Sequence, residues 1–119
     1  MDCMVKAFAS VLELDPEEIY AGVGHREPIH ISELVAWFLT RGWALVPKEE
    51  PMLTNFPAVV EGCTTQGTPH MVPLEAINTL AEVWIIWYLI PVPVNQQYRV
   101  EFERKRDAAE TFRMGVSTG

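Results

Sequence analysis

The segment Val83-Trp-Ile-Ile-Trp-Tyr-Leu-Ile-Pro-Val-Pro-Val94 constrains the fold of this chain more than any other. Two prolines interrupt its end, and it falls short of the ~20 apolar residues that a membrane-crossing helix needs. It therefore reads as a strand buried in a core. Trp84 and Trp87 lie at opposite parity and cannot share one face of that strand. One of them is left for the surface, where a Trp beside apolar neighbours commonly anchors a partner. At 119 residues, 49% hydrophobic and 21% charged, the chain fits a single domain with one ordinary core, residues 115–119 forming a loose tail.

Helical patterns fill the first third. Asp2 is an N-cap for an amphipathic helix that begins at Cys3 and runs to about Leu12. Asp15-Pro16-Glu17-Glu18 starts a second, short helix, because Asp caps, Pro suits the first turn and acids complement the dipole; Gly22 and Gly24 let the chain leave it. After a loop over 25–30, Ser32 is read as the cap of a third helix over 33–41, with Gly42 as its stop. Strands follow: Trp43–Val46, Pro57–Glu61, and His70–Glu75. Asn78-Thr79 is either the bend of a hairpin returning through Glu82–Ile90 or part of a helical turn within 74–83. Tyr98–Phe102 alternates like an edge strand, and Glu103–Met114 reads as a closing helix. Helices first and strands after make an α+β protein, N-terminal helices packed on a small antiparallel sheet with a C-terminal helix.

A net charge of −7 repels phosphate backbones and anionic membrane surfaces, so neither nucleic acid nor membrane is expected as a partner. Arg99 and Arg104-Lys105-Arg106 alternate with Glu101, Glu103 and Asp107, the pattern of a solvated helix face. No signal-peptide pattern is read at the N-terminus, which makes the expected compartment cytoplasmic. Cys3 and Cys63 are then free thiols. A zinc site from Cys3, Cys63, His70 and a loop histidine lacks any close C-x-x-C or H-x-x-x-H pair to organise it, so no metal and no cofactor are expected.

A cysteine at a helix N-terminus is placed where the dipole favours the thiolate, and it needs a base. His25 and His30 share a loop and suit anchoring or surface roles. His70 follows Gly67-Thr68-Pro69 and starts a strand that would hold the imidazole rigidly. Asp2-Cys3, Leu14-Asp15-Pro16-Glu17-Glu18, Gly24-His25, Ile31-Ser32-Glu33-Leu34, Arg41-Gly42-Trp43 and Gly67-Thr68-Pro69-His70-Met71-Val72 together resemble the small papain-like cysteine peptidases. The likeness spans about residues 2–90 and is strongest to bacteriocin-leader (double-glycine) peptidase-like domains and to compact papain-like proteins of bacteriophages.

That resemblance implies Cys3 as nucleophile and His70 as general base and acid, hydrolysing a peptide or related amide through a thioester. The family's oxyanion glutamine, a few residues before the cysteine, has no counterpart, and Gln66 replaces it only if its loop folds back over the thiol. Nor does the strand after His70 carry the orienting Asp or Asn, for which Asn78 and Glu82 are the nearest substitutes. Loss of one oxyanion contact typically costs ~10²–10³ in turnover. The alternative on the same scaffold is a catalytically degenerate binding protein, for instance a phage-encoded factor that works in the host cytoplasm on a host protein or peptide. Homodimer formation through the Trp-rich strand is compatible with either.

Overall fold

The structure is a computed structural model that describes residues 3–26 and 28–118, of which 110 and 112–118 are described through their backbone. Helix α1 (Cys3–Val11) starts at Cys3 as expected, while Asp2, its expected cap, lies outside the described residues. Helix α2 (Pro16–Val23) is capped by the Asp15 carboxylate, which accepts from the Glu17 N–H at 2.9 Å, and it ends at Gly24 in left-handed geometry (φ 97°).

Helix α3 (Ile31–Leu39) begins earlier than the Ser32 cap predicts. His30 is the N-cap, and Glu33 reaches back to accept from the His30 backbone N–H at 3.0 Å. This contact from the third helical residue fixes the start two residues before the serine.

Four strands follow: β1 (Trp43–Lys48), β2 (Ala58–Cys63), β3 (Pro69–Pro73) and β4 (Glu82–Pro91), all antiparallel, in the order β1-β4-β2-β3. Pro47, read as the end of β1, is tolerated within it because β1 is an edge strand and needs no outward N–H. The connection from β3 contains a 3-10 turn, Leu74–Thr79, and not a hairpin bend. β2 lies between β3 and β4, so those two strands never pair.

Alternation divides the sheet residues cleanly. Leu45, Val59 and Leu89, with Met71 and Trp87 behind them, pack under the helices against Val5, Phe8, Ile19, Leu34 and Phe38. Ala58, Val60, Val72, Ile86 and Tyr88 face the other way, onto the 3-10 turn and Met52. On that second face the Met52 backbone N–H donates to the Tyr88 hydroxyl at 2.7 Å, tying the 49–57 loop across the sheet.

The edge strand expected over Tyr98–Phe102 is instead the start of helix α4 (Gln96–Thr118), which also takes in the expected closing helix and residues 115–118. Asn95 explains the difference: its side chain accepts from the Tyr98 N–H at 3.0 Å and its carbonyl from the Arg99 N–H at 3.0 Å, which together begin a helix. Phe102 then packs against the helical core while Val100 is exposed, and Arg106 donates to the Gly22 carbonyl at 2.9 Å. Among the described residues no helix is long and apolar enough to cross a membrane.

Candidate functional site

α1 lies across β3 and β2 on the helical face of the sheet, which puts the half-buried Cys3 at the N-terminus of a helix that packs on the very strand carrying His70. The side chains nevertheless diverge. β3 pairs regularly with β2, Glu61 opposite Met71 and Val60 opposite Val72, and Met71 belongs to the helical core while Val72 belongs to the opposite cluster. His70, two residues before Val72 and opposite Gly62, shares the Val72 face. It is directed away from the layer in which α1 lies. Neither the Cys3 thiol nor the His70 imidazole takes part in a hydrogen bond or ion pair among the described residues, and both cysteines are free thiols.

The remaining residues of the expected site are spread around the same end of the sheet. Gln66 sits at the exposed tip of the β2–β3 turn, which is closed by the Gly67 N–H donating to the Thr64 carbonyl at 2.9 Å. Asn78 is exposed on the 3-10 turn. Glu82 heads β4 opposite Cys63, whose thiol points at its carboxylate from 3.8 Å. Thus Glu82 has a cysteine for a neighbour, but the cysteine is Cys63 and not the helix-borne Cys3.

A second constellation is far better connected. Both ring nitrogens of His25 face acceptors: Nδ1 the Arg26 carbonyl at 2.7 Å and Nε2 the Glu33 carboxylate at 2.8 Å. Burial pushes the Glu33 carboxyl upward, but the His25 hydrogen bond, the His30 N–H and the nearby histidine charges outweigh it and hold Glu33 below its ordinary range. Arg26 forms a fork with Glu17 at 2.7 and 2.6 Å and lies over the Tyr20 ring at 4.6 Å. The Arg26 hydrogen bond keeps the Glu17 carboxyl below its ordinary value. Here both His25 nitrogens are used in holding the α2–α3 loop, so none is left for proton transfer; the anchoring role that sequence suggests for a loop histidine is the one the geometry supplies. Glu33 stands three residues after His30, the spacing of a capping box, but the residue at the cap is not the Ser or Thr by which sequence signals one.

The third feature is an overhang. β1 stops opposite Ile86, so Glu82, Val83 and Ile85 pair only with β2, Trp84 has no partner in that ladder, and this part of β4 has one open edge. A register shift between Glu61 and Gly62 falls here, and Val83 and Trp84 are 38% and 40% exposed, while Trp87 is packed against the core. Trp84 is therefore the tryptophan left at the surface. Among the described residues no three His, Cys, Asp or Glu side chains converge as a metal site. No protein family, no curated protein and no solved structure matches this chain.

Proposed function

We propose that this chain is a non-catalytic binding domain that engages a partner protein along the β4 overhang. The observation that supports the reading is the parity of β3, which sets the imidazole on the face of the sheet away from α1, whereas a nucleophile–base pair needs its side chains within about 3 Å. Support for binding comes from Val83 and Trp84, two exposed apolar side chains on an unpaired strand edge, a combination that accepts an added strand and an aromatic anchor.

Alkylation kinetics test it. Iodoacetamide at mildly acidic pH should label Cys3 at the same rate in the wild type and in His70→Ala, because the imidazole does not activate the thiol. A rate that drops when His70 is removed refutes the binding reading and restores the hydrolase implied by the papain-like resemblance. Sedimentation over a range of concentrations then identifies the partner: a dimer lost in Trp84→Ser is a second copy pairing through the overhang, and a monomer throughout assigns the edge to a different protein.

A further inference from the structure

At the end of α1 remote from Cys3, a cleft of about 370 Å³ opens between the α1–α2 connection and the C-terminal end of α3. Its size falls within the ~300–1,000 Å³ of small-molecule sites. The half-buried Leu12, Leu14 and Trp43 make its walls, with the buried Trp37 and Phe38 behind them, so the surface offered is aliphatic and aromatic. Only two charged side chains line it, Glu18 and Arg41, and they are of opposite sign.

These two charges do not neutralise each other. The Glu18 carboxylate has no hydrogen-bond or ion-pair partner among the described residues. Arg41 is held in place by stacking over the Trp37 ring at 5.5 Å and by a single long contact, 3.9 Å, from one guanidinium nitrogen to Glu103. A guanidinium has five N–H donors, and most of this one's remain for a ligand. Both groups are exposed at the mouth of the cleft, so a ligand charged with one sign engages only one of them, whereas a ligand carrying both charges engages the pair.

We propose that the cleft binds a free α-amino acid with a large apolar side chain, its ammonium on Glu18, its carboxylate on Arg41 and its side chain against Leu12, Leu14 and Trp43. A residue inside a peptide carries neither charge at its α-carbon, so the complement of this pair is the free zwitterion. The site is separate from the β4 overhang, and its test does not depend on that reading.

Three ligands of one shape decide the matter: phenylalanine, phenethylamine, which lacks the carboxylate, and 3-phenylpropanoate, which lacks the ammonium. Titration followed through the indole N–H resonances of the intact protein should show phenylalanine binding roughly tenfold or more tighter than either truncated ligand, the loss expected for one charge-assisted hydrogen bond. Glu18→Gln should bring phenylalanine down to the level of 3-phenylpropanoate while leaving the latter unchanged. Arg41→Gln should do the same with respect to phenethylamine. Phenylalanine that binds no tighter than both truncated ligands, that fails to shift any indole resonance at millimolar concentration, or that binds both variants as it binds the wild type, overturns the proposal. Melting curves check that each variant is folded, and the ligand comparison on the wild-type protein stands without them.

Discussion

Replacing Gly22 with Ala should destabilise this protein, although the substitution improves a helix. Gly22 lies in the last turn of α2, where Ala is favoured over Gly by about 1 kcal/mol. The indole of Trp37 rests directly on its Cα: a methyl group there would overlap Nε1 and Cε2 and come within 2.6 Å of Cζ2. Trp37 is only 4% exposed, its ring packed 5.0 Å from that of Phe38, so a rigid bicycle would have to move as a unit into a filled core. Overpacking of this kind costs about 1–3 kcal/mol, and a rigid obstruction on three ring atoms belongs in the upper half of that range. The balance is a net loss of about 1–2 kcal/mol, or roughly 4–10 °C in Tm for a domain of this size. Thermal and urea melts measure it. In a Trp37→Leu background, where the obstruction is gone, the same Gly22→Ala change should become neutral or stabilising. A single mutant that melts at or above the wild type refutes the reasoning, because it would mean that the indole does not occupy the space over Gly22.

Glu33 sets a pH dependence. Because its folded carboxyl is held below its unfolded value, its contribution is complete above the ordinary carboxylate range and disappears as the pH falls through the folded value. Urea melts of the wild type should therefore lose stability on acidification more steeply than those of Glu33→Gln. Tyr88→Phe removes the acceptor for the Met52 N–H and should cost about 1 kcal/mol. The amide of Met52 should then exchange faster and the 49–57 loop become the first site of proteolysis. Asn95→Ala should cost α4 about 1 kcal/mol through loss of its cap, seen as reduced helical circular dichroism at unchanged sheet signal.

The parts of the fold legible in sequence are those where local chemistry and tertiary packing agree. Asp15-Pro16 fixes the start of α2 within its own residues, and the apolar run at 83–94 has no stable place except inside a sheet. Tyr98–Phe102 shows the opposite case. Tyr, Val and Phe at alternate positions read as a strand, yet in the fold Phe102 faces the core, Val100 faces solvent, and the Asn95 cap decides the matter from outside the segment. Strand order was illegible for a related reason. Nothing in the residues of β3 or β4 says that β2 will stand between them, because pairing partners are chosen by burial on both faces of the sheet at once.

The candidate site turns on the same period of two. Sequence brings Cys3 to a helix start and His70 to a strand start, and the fold lays that helix over that strand. Side-chain direction is decided separately. Val72 is drawn to the Tyr88 side by its packing with Val60 and Ile86, Met71 goes to the helices, and His70 has no choice but to follow Val72. A one-residue displacement in β3 would reverse all three, burying an imidazole beneath α1 and pushing Met71 outward. The apolar residues of β3 therefore decide where its histidine points. A loop histidine is under no such constraint, which is why His25 is free to turn both ring nitrogens to partners and hold the α2–α3 connection, while His70 takes the direction its strand imposes.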